Sequence, residues 1–174
     1  MEVVVVDHDP RWADLFESEA ERLASVMGDN LLHIFHIGST SVPGLRAKPI
    51  IDIMPVVRDL AQVDTCAHAF EGIGYRVLGE CGVPGRKYMR KGDDVRTHHV
   101  HIYQYDDCAN IVRDLAFRDY LRSHPAIAAW YGELKGDLAL RYPEDYEGYC
   151  NAKEPFVERL SRDALQWYWK THAA

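Results

Sequence analysis

The stretch His36-Ile-Gly-Ser-Thr-Ser-Val-Pro-Gly-Leu-Arg-Ala-Lys-Pro-Ile-Ile-Asp-Ile53 constrains this chain more than any other. Residues 31–37 read as a strand running into Gly38. Gly38-Ser39 then turns the chain into a short helix, Lys48 follows, and residues 50–57 read as a second strand carrying one carboxylate, Asp52. A Gly-Ser turn exposes backbone N–H groups that can hold a phosphate. A carboxylate on the adjacent strand can hold a divalent cation against that phosphate. Each part has a plain alternative. Ser39 or Thr40 caps the short helix, Lys48 is a solvated loop lysine, and Asp52 forms a salt bridge with a buried Arg or His. The spacing argues for the phosphate reading, because a carboxylate in a strand of aliphatics is costly to bury unless something pairs with it.

At 174 residues the sequence reads as one domain over 1–174, with enough apolar residues (47%) for a sizeable core. The formal charge of −7 argues against general nucleic-acid binding, which needs a basic footprint, but leaves room for a local basic pocket. Cys66, Cys81, Cys108 and Cys150 form no C-x-x-C pair, so neither zinc nor a disulfide framework is signalled, and a cytoplasmic, reducing setting is expected. The apolar start Val3–Val6 is too short for a signal peptide or a membrane span.

Asp9-Pro10 signals a helix start, and Trp12, Leu15, Phe16, Ala20, Leu23 and Met27 recur at helical spacing up to Gly28. After the second strand, a helix is expected over about 59–72, then strands at 75–78, 86–91 and 96–105. Helices at about 109–123, 126–141 and 144–170 complete the chain, broken at His124-Pro125 and Tyr142-Pro143. The expected fold class is α+β: a mixed β-sheet packed with helices, followed by a helical C-terminal part over about 109–172.

Two further clusters bear chemistry. In Arg96-Thr-His-His-Val-His-Ile-Tyr103, alternation puts His99, His101 and Tyr103 on one face and Val100 and Ile102 on the other. Two such histidines can share a metal or flank a phosphate; half-buried histidines bonded to carboxylates are the alternative. Arg86, Tyr88 and Arg90 alternate likewise, and guanidiniums beside a ring suit a nucleotide. The alternative is an edge strand guarded by charge. Arg118 and Arg122 lie one helical turn apart and either face a cleft or pair with Asp114 and Asp119.

The 36–53 segment resembles the signature of the GrpB family. Pro84-Gly-Arg-Lys-Tyr88, Thr97-His-His-Val-His101, Phe117-Arg-Asp-Tyr-Leu-Arg122, Leu134-Lys135 with Leu138-Ala139, and Tyr149-x-x-x-Lys153 follow in order. The family is classed with the DNA polymerase beta-like nucleotidyltransferase fold, and is similar to a C-terminal domain of some bacterial dephospho-CoA kinases. The resemblance implies that Gly38, Ser39, Thr40 and Lys48 hold phosphates and that Arg86, Arg90 and Arg118 neutralise charge. It also implies that Asp52, with His99 or His101, holds Mg²⁺ or Mn²⁺, Asp52 being catalytic. The match to the superfamily is incomplete: Asp52 stands for one carboxylate of an Asp-x-Asp pair, while positions 50 and 54 are Ile and Met. No acid stands near His99–His101, where a third carboxylate is expected. The leading expectation is a divergent nucleotidyltransferase acting on a nucleotide and an unknown acceptor. The alternative is a non-catalytic module that binds a nucleotide or a coenzyme A precursor.

Overall fold

The computed structural model describes residues 2–172. A first helix, α1 (Arg11–Met27), leads into β1 (Leu31–Ile37), and β2 (Ile51–Val57) follows the Gly38 turn. Two short helices, α2 (Leu60–Thr65) and α3 (Ala67–Gly72), precede β3 (Tyr75–Val77), β4 (Lys87–Lys91) and β5 (His98–Gln104). Three helices close the chain: α4 (Cys108–Ser123), α5 (Pro125–Arg141) and α6 (Tyr146–His172). The α+β expectation holds.

The five strands form one mixed sheet in the order β1-β2-β5-β4-β3. β2 lies between β1 and the central strand β5, antiparallel to β1 and parallel to β5, while β4 runs antiparallel to both β5 and β3. Pro55 sits within β2 opposite Ile34 of β1. The β2–β5 pairing steps from Ile53↔Val100 to Val56↔Tyr103, and proline has no N–H to donate in that gap.

Alternation sends the two faces of β2 to different cores. Ile51, Ile53 and Val57 join Val100, Ile102, Met89 and Phe70 under α1, with Trp12, Phe16 and Leu23 packed above. Fully burying each such side chain contributes about 1.5–3 kcal/mol before the entropy of ordering is charged against it. On the opposite face Met54 packs with Ile37 and Tyr103 beneath Ile111 and Leu115 of α4. That cover is partial and leaves the Asp52 end of the face open. α4, α5 and α6 share their own core, in which Leu121, Tyr131, Leu160 and Ala164 close over Val42 and Leu45 from the loop after Gly38.

Two details depart from the sequence reading. The single helix expected over 59–72 is broken at Cys66 (φ −94°, ψ 3°) into α2 and α3. Leu15 is exposed, and the acidic Glu19 is buried on α1 in its stead. Burial by itself would raise the Glu19 carboxyl, but Lys91, whose Nζ stands 2.8 Å from Oε1, acts through its hydrogen bond and charge together with weaker neighbours to keep the group below its usual range.

Candidate functional site

Gly38 ends β1 at φ 69° and ψ −171°, a conformation essentially confined to glycine. Its neighbour across the sheet explains the second reason for glycine: a Cβ here would stand 2.5 Å from Asp52 Oδ2. The Asp52 carboxylate therefore lies directly against the Gly38 backbone. Ser39–Ser41 forms one 3₁₀ turn, within which Ser41 Oγ donates to the Gly38 carbonyl at 2.6 Å. Arg122 of α4 clamps the turn by donating from Nε and Nη2 to the Ser41 carbonyl at 3.0 and 2.7 Å.

Asp52 gathers both histidines of β5. Its Oδ1 lies 3.3 Å from His101 Nε2 and 3.5 Å from His99 Nδ1. Arg86 Nη1 stands 3.2 Å from His101 Nδ1. A guanidinium only donates, so His101 Nδ1 accepts, and its Nε2–H points at Asp52. Burial alone would raise the Asp52 carboxyl, but hydrogen bonds from His101 and His99 outweigh it and hold the group far below the usual carboxylate range. His99 Nε2 has no partner among the described residues. Tyr88 of β4 packs beside both imidazoles, at 5.7 Å from His99 and 5.3 Å from His101 between centroids.

Two adjoining cavities meet at Asp52. The larger, about 690 Å³, lies between the sheet and α4 and α6, and its lining includes Gly38, Asp52, Arg86, His101 and Phe117. The smaller, about 170 Å³, is lined by Ser39, Thr40, Lys48, Asp52 and His99, with lysines and tyrosines from α5 and α6. The structure thus brings together Gly38, Ser39, Thr40, Lys48, Asp52, Arg86, His99 and His101. Arg90 and Arg118 line neither cavity. Arg90 sits opposite His99 on β4. Arg118 donates to the His36 carbonyl at 3.2 Å and to Asp119 at 2.7 Å, which ties α4 to the end of β1 and leaves little of the guanidinium for a ligand.

Four residues of the C-terminal helices with no site role in the sequence reading line the smaller cavity: Lys135 of α5, and Tyr146, Tyr149 and Lys153 of α6. A signal for Lys135 was present: it falls on the apolar stripe Tyr131, Lys135, Leu138, Ala139, at helical spacing. A lysine there is either a snorkelling surface residue or a buried cation. At 3% exposure it is the latter.

The donor set does not fit Mg²⁺ or Mn²⁺ in the role the resemblance implies. Hard divalent ions favour oxygen ligands, and here one carboxylate stands with two imidazoles. Both ring nitrogens of His101 already face Arg86 and Asp52. Among the described residues no group of three His, Cys, Asp or Glu side chains is placed to hold a metal ion.

The family model described as "GrpB protein" matches residues 2–163. This chain belongs to the GrpB family. The crystal structure of the conserved protein GrpB from Enterococcus faecalis superposes with a TM-score of 0.93 at 48% identity, covering 95% of this chain and 99% of that one. The UPF0157 protein YqkA of Bacillus subtilis is 41% identical over 165 residues, 95% of this chain and 48% of that protein. The similarity to dephospho-CoA kinases is borne out as well: that of Mycobacterium leprae is 28% identical over 191 residues, 94% of this chain and 46% of the kinase. The GrpB chain described here therefore spans about half the length of the Bacillus and Mycobacterium relatives. No helix among its described residues is long and apolar enough to cross a membrane.

Proposed function

We propose that this GrpB-family chain binds a nucleotide, or a kindred small molecule bearing phosphate, in the cleft at Asp52. One observation carries the reading: Asp52 lines two adjoining cavities, and a glycine-tight Gly38-Ser39 turn lies against it. The larger cavity falls within the range of ligand sites, about 300–1,000 Å³, and offers Phe117 for a flat apolar group and Arg86 for an anion. The smaller one is cationic. The resemblance of the Gly38-Ser39 and Asp52 segment to a nucleotidyltransferase motif supports the same ligand class. The likeness to dephospho-CoA kinases adds coenzyme A precursors to it.

A second reading, nucleotidyl transfer, is favoured by His99. Asp52 lies against its Nδ1, and its Nε2 has no partner among the described residues. Such an imidazole can take the proton of an acceptor hydroxyl as the oxygen attacks phosphorus and pyrophosphate leaves. Asp52 would act here by orienting and polarising the ring. Binding is tested by thermal shift and calorimetry with nucleoside triphosphates and coenzyme A precursors, on the parent and on Arg86→Ala and Ser39→Ala. A ligand that raises the melting temperature and binds the variants less tightly is expected. No binding across the panel, or affinities equal in all three proteins, would overturn the cleft. For transfer, Asp52→Asn separates the two readings: release of pyrophosphate should collapse by about 10²-fold or more while nucleotide affinity persists.

A further inference from the structure

Three ammonium groups converge on the smaller cavity. Lys48 follows the Gly38 turn, Lys135 comes from α5 and Lys153 from α6, and Asp52 is the one carboxylate in the lining. Like charges brought together at the protein interior repel, and burying a charge without a partner is costly. In this chain the cost is visible. Burial, together with the neighbouring Lys153, brings Lys48 from 10.5 to about 8. Burial, Lys153 and Lys48 push Lys135 well down.

The aromatic rings compensate only in part. Lys48 Nζ stands 4.3 Å from the Tyr146 ring centroid, Lys135 Nζ 4.6 Å from that of Tyr131, and Lys153 Nζ 5.3 Å from that of Tyr149. Such contacts attract an ammonium but do not replace the hydrogen bonds it loses on burial. Three polar atoms around the cavity stay buried without a hydrogen-bond partner among the described residues: Lys135 Nζ, Tyr149 Oη and His99 Nε2. Lys135 and Tyr149 are 3% and 0% exposed, so bulk solvent hardly reaches them. Buried polar groups are normally paired, and the unpaired Lys135 ammonium and Tyr149 hydroxyl on one cavity point to a missing acceptor.

We propose that Lys48, Lys135 and Lys153 form a polyphosphate subsite, in which protein ammonium groups rather than a divalent cation neutralise the terminal phosphates of the ligand. The acceptor that would satisfy the Lys135 ammonium and the Tyr149 hydroxyl is an oxyanion of high charge density with oxygens on several sides. At about 170 Å³ the cavity takes phosphoryl groups but not a nucleoside beside them, and the nucleoside side falls to the larger cavity across Asp52. The ligand class is thereby narrowed to a nucleoside di- or triphosphate, or another molecule ending in a diphosphate, over a monophosphate. The proposal rests on the nucleotide reading only for the part of the ligand beyond the phosphates. The lysines also supply what the Asp52, His99 and His101 set, ill suited to Mg²⁺, does not: ammonium groups beside the Gly38-Ser39 turn, whose protons a bound anion would hold in place.

The test uses inorganic ions, so that it does not depend on the nucleoside. Tripolyphosphate, pyrophosphate and orthophosphate are titrated calorimetrically into the parent chain, Lys135→Met and Lys153→Gln, in EDTA and again with excess Mg²⁺. Binding in EDTA is expected, tighter for the two polyphosphates than for orthophosphate, and weakened by Mg²⁺, which competes for the anion. Each variant should lose about tenfold or more in affinity. Lys135→Met should at the same time melt higher than the parent, because an unpaired buried charge becomes an apolar side chain of similar length. Lys153→Gln, at a less buried position, guards against a folding artefact. No polyphosphate binding, binding that requires Mg²⁺, or affinities unchanged in both variants would each overturn the subsite. A nucleoside monophosphate that binds through Arg86 while pyrophosphate does not would overturn it too, and would leave the proposed function standing.

Discussion

At the scale of single residues, Gly38 and Asp52 are one structural unit. Gly38 adopts φ 69°, and its missing Cβ leaves the space that the Asp52 carboxylate fills. Gly38→Ala should therefore act twice, through backbone strain of about 1–3 kcal/mol and by displacing the carboxylate. The expected outcome is a clear drop in melting temperature by calorimetry, with the ring-proton shifts of His99 and His101 changed in NMR spectra because their shared partner has moved. A variant as stable as the parent with unchanged histidine signals would contradict the close approach. The sequence made both residues conspicuous, as a Gly-Ser turn and as a lone acid among aliphatics. It did not show that they touch, since that follows from the Ile37↔Asp52 pairing of β1 with β2.

At the scale of elements, α4 positions more of the site than it lines. Its Arg122 clamps the Ser41 carbonyl, its Arg118 holds the His36 carbonyl, and Phe117 and Asp114 face the larger cavity. Leu121, 1% exposed, fixes the helix in the core shared by α4, α5 and α6. Leu121→Ala should cost about 2–5 kcal/mol of stability, measured by denaturant unfolding. Because the same core carries α5 and α6, it should also weaken anion binding although Leu121 lines neither cavity. Sequence alone leaves the arginines of Phe117-Arg-Asp-Tyr-Leu-Arg122 either facing a cleft or pairing with neighbouring acids. They do some of the second, and their further bonds go to backbone carbonyls of another element. Helical spacing alone carries no information about which carbonyl lies across the interface.

At the scale of the whole molecule, stability and anion binding should part company with pH. Lys48, brought to about 8 by burial, sheds its proton in the folded state before the unfolded chain does at 10.5. Between those values the unfolded state binds more protons, so Lys48 makes stability rise with pH from about 8. Above about 10 the buried tyrosines oppose it, as burial pushes Tyr88 up to about 12 and keeps it neutral while the unfolded phenol ionises. On the acid side, burial lowers His36 to about 4, so protonation of the unfolded chain makes stability fall as pH drops from about 6.5 towards 4. Polyphosphate affinity should run the other way, falling through pH 8 as the Lys48 charge is lost. Melting curves and calorimetric titrations across pH 7–9.5 check the pair of trends. A rise or fall of both together would contradict it.

The sequence by itself determined the alternation of β2 and β5, the turn at Gly38 and the order of elements, because side-chain period and glycine punctuation are local properties. It thereby determined that His99 and His101 share a face; that Asp52 joins them was decided by the parallel pairing of β2 with β5, which sets Asp52 opposite His99. Tertiary structure alone decided what that face meets. Lys135 and Lys153 are 83 and 101 positions from Asp52 in the chain, and nothing in local periodicity says that α5 and α6 return over the Gly38 turn. Whether His101 is open to a metal was decided in the same way, by an arginine 15 residues upstream that folds back to its Nδ1. Charge pairing and cavity shape depend on distances across elements, and those are set only when the helices pack on the sheet.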